Sequence, residues 1–455
     1  MRLRVCLRLC GRWKIMGFLG KKKGIERGVY HFRGTDDLEG KRIHLRVDGP
    51  DKGVLIMDAS RILVLNETGL NMAYHLLSGS PDSEIVKKLR SMYRVKKGKL
   101  EEDLKEFKRE MFSLLRTEDV VSVMEDDLEV LYKGQMAPYR MDLALTYRCN
   151  NACVHCYNED KEIREMGAED WKKVLDILWK VGIPHVVFTG GEPTLRDDLP
   201  ELIGFAEGIG QITGLNTNGR KLSDNKYMRS LTEAGLDHVQ ITLESHRKKV
   251  HDSITKVDGS YDETLEGIRN AVESGIYVVS NTTMMRENKD DLLDTIEFLR
   301  DHEVRHIAVN SLIRSGKGKN ANALGYEEIS EVLELAREQA AMRDFELRWY
   351  TPTPYCKLNP MALGLGIKHC TACKMNMAVE PDGTVIPCQS YYEGLGNILE
   401  DPWDSIWGHE LCGRIREGRF APDECKECDL FGVCGGGCPL SWKAGDYICM
   451  GMINS

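Results

Sequence analysis

Cys149, Cys153 and Cys156 lie within the run Thr146-Tyr147-Arg148-Cys149-Asn150-Asn151-Ala152-Cys153-Val154-His155-Cys156-Tyr157. Three thiolates on so short a segment can converge on one metal centre but cannot fill it. A structural zinc ion takes a fourth protein ligand close by. An iron–sulfur cubane held by three cysteines keeps one iron open for a substrate or cofactor. The spacing therefore points to a cluster that does chemistry, with a zinc knuckle as the alternative to be weighed against the rest of the chain.

The other cysteines sharpen that choice. Of fifteen, Cys6 and Cys10 precede the triplet, none lies between residues 157 and 355, and ten follow. Disulfide frameworks are spread along small secreted domains, whereas here two banks flank a cysteine-free body. No apolar run is long enough to span a bilayer, and the basic stretch Met1–Lys23 has no continuous apolar core like that of an export signal. These features favour a reducing cytoplasm and metal ligation. The net charge of −9 gives no footprint for nucleic acid.

At 455 residues the chain must form several domains. Residues 1–27 read as a basic tail, disordered or upstream of a true start at Met16. Between 28 and 116, strands Arg42–Val47, Val54–Met57 and Ile62–Asn66 precede helices Gly69–Leu77, Ser83–Tyr93 and Leu100–Leu115, with Asp82-Ser83 as a cap for the second helix. Residues 117–138 read as a linker. From 139 to 345 strand and helix alternate. The strands are Met141–Thr146, His185–Thr189, Gly214–Thr217, His238–Leu243, Tyr277–Thr283 and His306–Asn310; helical segments include Trp171–Val181, Asn225–Ala234, Thr264–Ser274 and Asp291–His302. Six such units imply an α/β fold with a parallel sheet, open or closed into a partial barrel. Active sites of these folds sit at the carboxyl ends of the strands, where the three-cysteine loop begins. Residues 346–455 are turn-rich and cysteine-dense, and metal staples would order them.

The triplet, directly after a strand, resembles the radical S-adenosylmethionine (radical SAM) signature. The resemblance implies a [4Fe–4S] cluster whose open iron chelates S-adenosylmethionine, and electron transfer that breaks a sulfonium bond to give a 5′-deoxyadenosyl radical. Gly190-Gly191-Glu192-Pro193 after the second strand is similar to the family's Gly-Gly-Glu motif, which holds the cofactor's amino group; adjacent glycines let backbone approach a ligand. Asn216 and Asn218 after the third strand, and Thr242 and Glu244 after the fourth, fall where the family contacts ribose and carboxylate, although polar residues at strand ends also cap helices. Relatives often carry His-Asp-x-x-Arg next; here His251-Asp252-Ser253-Ile254-Thr255-Lys256 has Thr255 in the arginine's place, with Lys256 as a substitute and His251 as a structural residue.

The C-terminal pattern Cys373-x9-Gly383-x4-Cys388, Cys425-x2-Cys428-x5-Cys434-x3-Cys438, then Cys449, resembles the SPASM domain of peptide-modifying radical enzymes. By that resemblance Cys373, Cys388 and Cys438 share one auxiliary [4Fe–4S] cluster with Cys370, and Cys425, Cys428, Cys434 and Cys449 hold another, giving three clusters in all. Cys6, Cys10, Cys356 and Cys412 stay unassigned, and Cys356 competes with Cys370. Residues 28–116 are similar to the small peptide chaperone of pyrroloquinoline quinone synthesis, a winged-helix-like α+β element whose relatives capture a leader peptide as an added strand; a purely structural winged-helix domain is the alternative. The whole reads as a partial (β/α)6 TIM-like radical SAM barrel between that domain and a SPASM domain.

The resemblance implies an enzyme that crosslinks, epimerises or oxidises a ribosomal peptide or protein, reduced by a ferredoxin or flavodoxin. Sulfatase maturases of this type carry a carboxylate base after the Cys of the Gly-x4-Cys element. Here Gln389 follows Cys388, and an amide is no base, so no catalytic base is assigned. Asn281, Asn310 and Arg314 are further polar candidates near strand ends. A tetrapyrrole or metal-cofactor substrate, and a non-catalytic iron–sulfur scaffold, are the competing readings.

Overall fold

The computed structural model describes residues 2–5, 24–33, 41–57, 61–116, 131–159 and 161–445. Cys6, Cys10, Cys449, most of the basic tail and residues 117–130 of the expected linker lie outside them. The chain forms two compact units, residues 1–137 with 178–184, and residues 138–177 with 185–455.

The first unit has a five-stranded sheet in the order β1-β5-β4-β3-β2, with β1 Arg2–Val5, β2 Gly28–Arg33, β3 Arg42–Gly49, β4 Lys52–Met57 and β5 Arg61–Asn66. Alternation in β3 sends Ile43, Leu45 and Val47 to one face. There they meet Leu70, Ile85, Leu89, Leu104 and Phe107 from helices α1 (Glu67–Leu77), α2 (Asp82–Met92) and α3 (Lys97–Arg116). Asn66 caps α1 by accepting from the Gly69 amide at 2.9 Å. The second helix is capped differently from expectation: Pro81 is its N-cap, and Asp82 instead pairs with Lys108 at 2.7 Å. Arg46 is buried, so its guanidinium must be answered. Its Nε donates to Asp48 at 2.8 Å, and Nη2 donates to the Ala137 carbonyl at 2.9 Å.

In the second unit, ten strands form one open sheet ordered β12-β11-β10-β9-β8-β7-β6-β13-β14-β15. They are β6 Arg140–Thr146, β7 His185–Gly190, β8 Ile212–Thr217, β9 His238–Thr242, β10 Tyr277–Met284, β11 His306–Ser311, β12 Glu346–Trp349, β13 Asn376–Val379, β14 Thr384–Ile386 and β15 Gly396–Asn397. The six expected strands appear within two residues of their predicted starts. Two more parallel strands were not foreseen. β12 extends the sheet beyond β11, and β13 pairs parallel with β6, Met377 opposite Met141 and Val379 opposite Leu143. The cysteine-rich segment therefore begins as a continuation of the barrel sheet. The carboxyl ends of β6 and β13 point the same way; the Cys149–Cys156 loop follows β6, whereas Cys370 and Cys373 precede β13, at the opposite, amino end of the sheet.

Register decides which side chains face the interior. Asn216 is opposite Gln240, Thr242 opposite Asn281, and Thr283 opposite Asn310. With a side-chain period of two, all six project from the same face. The alternate positions Leu215, Ile241 and Val309 are fully buried on the other face. One face of the half-barrel is thus polar and the other apolar.

Candidate functional site

The loop from Tyr147 to Tyr157 is held from three sides by backbone. The helix Lys248–Thr255 accepts two loop amides at its C-terminus, Ala152 to the Thr255 carbonyl at 2.9 Å and Val154 to the Ile254 carbonyl at 3.0 Å. At the end of β7, the Gly191 amide bonds the Thr146 carbonyl at 2.7 Å and the Glu192 amide bonds the Arg148 carbonyl at 2.9 Å. A Cβ on Gly190 would lie 2.2 Å from the Thr146 carbonyl oxygen, and one on Gly191 2.3 Å from that of Arg148. Only glycine permits this approach. On the third side the turn Ile313–Asn320 packs on the loop: a Cβ on Gly316 would lie 2.3 Å from the Asn158 carbonyl oxygen, and the Gly318 amide bonds the Cys156 carbonyl. Gly316 and Gly318 escaped the sequence reading. The spacing Gly-x-Gly after the sixth strand is the signal that could have found them.

Within this frame the three thiols affect one another. Burial first, then Glu244, Cys156 and Cys149, push the Cys153 thiol well above its usual range. Burial first, with Glu192 and Cys156 adding, raises Cys149 to about 11. Three mutually repelling sulfurs without a close fourth ligand suit a multi-iron cation. The thiol triad fits an iron–sulfur cluster.

Glu192 is fully buried and spends its carboxylate inside the protein. It accepts from the Thr194 amide at 3.1 Å, the Thr194 and Thr217 hydroxyls at 2.7 Å each, and the Asn218 amide at 2.8 Å. Burial pushes its pKa up, against four donors that favour the anion. Its evident work is to tie the end of β7 to the end of β8. Asn218 Nδ2 lies 4.0 Å from Cys149 Sγ and donates to Asn150 at 2.6 Å. Glu244, also buried, accepts from the Thr283 amide at 3.0 Å and stands 2.9 Å from Nε2 of His155, the residue before Cys156. Among the described residues, Asn310 Oδ1 and His155 Nδ1 are buried without hydrogen-bond partners. These unmet groups fit a polar cofactor or substrate on that face. His251 Nδ1 accepts from the Glu244 amide, a structural role, while Thr255 is buried against Ser260. Lys256 ends its helix in the left-handed region, where its backbone turns the chain.

The second bank is reached through Gln389, which latches the C-terminal segment to the loop. Its Oε1 accepts from the Tyr157 hydroxyl at 3.1 Å and the Thr189 hydroxyl at 3.4 Å. Nearby, Glu380 accepts from the Tyr147 hydroxyl at 2.9 Å and pairs with Lys161, whose ammonium lies 4.3 Å from the Tyr392 ring centre. Sequence reasoning missed this cluster, because Tyr147 and Lys161 follow β6 while Glu380 and Tyr392 follow β13, and Lys161 and Glu380 are 219 residues apart in sequence. Cys370, Cys388 and Cys438 form a second mutually repelling trio: after burial, Cys438 raises Cys370 to about 12, and Cys370 and Cys438 raise Cys388. Cys373 differs from expectation. Its sulfur is joined to Cys412 as a disulfide, and a disulfide sulfur offers no thiolate to a cluster. Cys434 lies farther on, accepting from the Tyr355 amide at 3.4 Å; burial first, with the Cys428 thiol adding, raises its pKa.

Residues 143–299 match the radical SAM superfamily, and residues 370–429 match SPASM, an iron–sulfur cluster-binding domain. The chain carries a radical SAM domain and a SPASM domain. Among its relatives are the Fe-coproporphyrin III synthase of Methanosarcina barkeri, 29% identical over 64% of this chain and 81% of that protein. The PqqA peptide cyclase of Bradyrhizobium diazoefficiens is 28% identical over 66% and 81%, and the mycofactocin maturase MftC of Mycolicibacterium smegmatis 27% over 68% and 80%. Streptococcus suis SuiB, solved bound to its precursor peptide SuiA, has the same fold. The match has a TM-score of 0.65 at 17% identity and covers 90% of this chain and 95% of that one. As a radical SAM enzyme the chain binds S-adenosylmethionine and iron–sulfur clusters. No helix among the described residues is long and apolar enough to cross a membrane.

Proposed function

We propose that this radical SAM enzyme oxidatively modifies a ribosomal peptide or protein, with the cluster at Cys149, Cys153 and Cys156 as its radical source. The observation that carries the reading is the thiol triad set at the carboxyl end of β6, with Asn218 Nδ2 4.0 Å from Cys149 Sγ. The polar face would bind and orient the cofactor through Asn216, Thr242 and the strand-end backbone around Gly190 and Gly191. When bound, the cluster and S-adenosylmethionine supply the 5′-deoxyadenosyl radical. The protein's own share is position and the exclusion of water: Glu192 and Glu244 fix the strand ends, and Tyr157, Gln389 and Tyr392 close the site on the side of the second bank.

In this reading Cys370, Cys388 and Cys438 hold one auxiliary cluster, and Cys425, Cys428, Cys434 and Cys449 hold the other. The five-stranded unit captures the substrate, for instance by a leader peptide, as the resemblance to the pyrroloquinoline quinone chaperone suggests. A ferredoxin or flavodoxin in the cytoplasm supplies electrons. Peptide modification is supported by the likeness to the PqqA cyclase and MftC, and the likeness to Fe-coproporphyrin III synthase supports a tetrapyrrole as the second reading. Anaerobic reconstitution with dithionite and S-adenosylmethionine tests the core of the proposal. 5′-Deoxyadenosine should form, and about twelve irons per chain follow from three cubanes. Intact clusters without 5′-deoxyadenosine would overturn it. Tight, saturable coproporphyrin binding by the same preparation would move the substrate to the second reading.

A further inference from the structure

The two cysteine banks reach the sheet from opposite ends. Cys149, Cys153 and Cys156 follow β6 at its carboxyl end. Cys370 precedes β13, and Cys388 follows β14, which runs antiparallel to β13 with Ile386 opposite Ala378 and so returns the chain toward the amino end. The side chains that bridge this separation come from residues beside the banks themselves. Tyr157, next to Cys156, donates its hydroxyl to Gln389 Oε1 at 3.1 Å, and Gln389 is next to Cys388. From Cys156 to Cys388 the connection is thus a peptide bond, an aromatic side chain, one hydrogen bond, an amide side chain and a second peptide bond. Thr189, on β7, also donates to Gln389 Oε1 at 3.4 Å and helps to fix the amide. Tyr392 adds a second rung: its hydroxyl lies 3.1 Å from Asn158 Oδ1 and 3.0 Å from the Gln389 carbonyl oxygen.

Thiols of both banks bear on the same two phenols. After burial, Cys156, Asp142 and Cys388 push the Tyr157 hydroxyl above its usual range. After burial, Tyr147, Tyr157, Cys156 and Cys388 do the same to Tyr392. Cys388 in turn faces Cys370 and Cys438. Each phenol therefore lies within electrostatic reach of one thiol from either bank. Both keep their protons, so they lend bonds and π-electrons to the space between the banks without adding charge.

We propose that Tyr157 and Gln389, with Tyr392 as a second rung, form the route by which single electrons pass between an auxiliary cluster at Cys370, Cys388 and Cys438 and the cluster at Cys149, Cys153 and Cys156. Covalent bonds and hydrogen bonds carry electronic coupling, whereas an open gap attenuates it steeply. The transfer moves one electron only: one cluster is oxidised as the other is reduced, no bond forms or breaks, and no proton moves. The electron enters from the ferredoxin- or flavodoxin-type reductant already proposed. Tyr157, Gln389 and Tyr392 are positioning residues in this account, because they act through the clusters without touching substrate.

The inference rests on the reading that both banks ligate clusters, and one experiment separates the two. The full chain is reconstituted anaerobically, its iron counted, and its clusters reduced with dithionite that is then removed. S-Adenosylmethionine is added, and samples frozen over time are read for 5′-deoxyadenosine and, by electron paramagnetic resonance, for the reduced auxiliary signal. In the wild type a burst drawn from the first cluster should precede a slower phase, in which the auxiliary signal decays as further 5′-deoxyadenosine forms. Tyr157→Phe keeps the ring and removes its hydrogen bond, so auxiliary decay should slow severalfold relative to that variant's own burst. Gln389→Leu, which removes the same acceptor from the other side, should slow it likewise, and the double variant Tyr157→Phe, Tyr392→Phe should slow it further. A wild type whose auxiliary signal persists overturns the proposal. So does an unchanged ratio of the two phases in iron-replete Tyr157→Phe, including the case in which both fall together, as they would if the hydroxyl served structure alone. A wild type with only about four irons sinks the ligation reading instead. If Tyr157→Phe loses iron, Gln389→Leu takes its place, with an unchanged ratio again decisive against.

Discussion

The two cysteine banks approach one sheet from opposite ends: Cys149, Cys153 and Cys156 follow β6 at its carboxyl end, and Cys370 precedes β13 at its amino end. Beside Cys149 the Glu192 carboxylate is buried and held by four neutral donors. The banks' mechanical support differs as well. The first bank is a loop clamped by backbone hydrogen bonds and glycine contacts. The second is a set of turns, pinned by the helix Glu410–Arg416 through Cys412 and Arg416. Two cysteine-bearing segments of one sheet are thus held in two different ways.

The harshest way to break this comparison is to delete each bank in turn. Cys149→Ala should remove about four of about twelve irons and abolish 5′-deoxyadenosine formation. Cys388→Ala should remove auxiliary iron but leave S-adenosylmethionine cleavage measurable. If Cys388→Ala also abolished cleavage with the first cluster spectroscopically intact, the division of labour would be wrong.

Next in size is Gly191→Ala. The new Cβ would strike backbone oxygens at 2.3 and 2.6 Å, which neither loop nor strand can yield cheaply. Overpacking of this kind costs about 1–3 kcal/mol, a few degrees in melting temperature. The loss should fall on the first bank, seen as weaker S-adenosylmethionine binding by calorimetry while auxiliary iron is retained.

A milder perturbation addresses both banks' common support. His238 starts β9, at the end of the sheet remote from Cys149, Cys153 and Cys156, with its Nε2 2.8 Å from that of His185. Burial first, then Arg140 and Arg348, lower its pKa to about 4. The neutral form is the folded one, so its stabilising contribution is complete above about pH 6.5 and declines as pH falls from there toward about 4, by up to roughly 3 kcal/mol. Denaturant midpoints across that window should fall for the wild type and fall less for His238→Gln. Equal slopes would remove His238 from the account.

The smallest effect is expected from Cys412→Ala. With its partner Cys373 outside the thiol trio, iron content should be unchanged and the stability loss about 1 kcal/mol. A loss of about four irons would instead make Cys412 a ligand.

Much of this was readable in the residues. The six barrel strands announced themselves through β-branched runs bounded by Gly and polar turns, and their starts fell within two residues of the structure. The triplet's spacing pointed to a cluster because three thiols on one loop leave one position open. What sequence could not show was pairing across distance. β13 reads as an isolated short strand until Met377 meets Met141. The Lys161–Glu380 pair joins residues with no shared local pattern. Cys373 obeys the spacing of a ligand while its sulfur is taken by Cys412, a partner chosen by packing. The missed cap at Pro81 has the same origin, since Asp82 is drawn off by Lys108 from another helix.

The sequence by itself determined the radical SAM and SPASM domains and the parallel α/β order, because each is encoded in local spacing and in the two-residue and 3.6-residue periods. Only the tertiary structure decided how the two banks are held: by backbone hydrogen bonds and glycine contacts at the first, and by the Cys373–Cys412 link and the Arg416 hydrogen bond at the second. Those partners are brought together by strand register and helix packing, and no run of neighbouring residues records them.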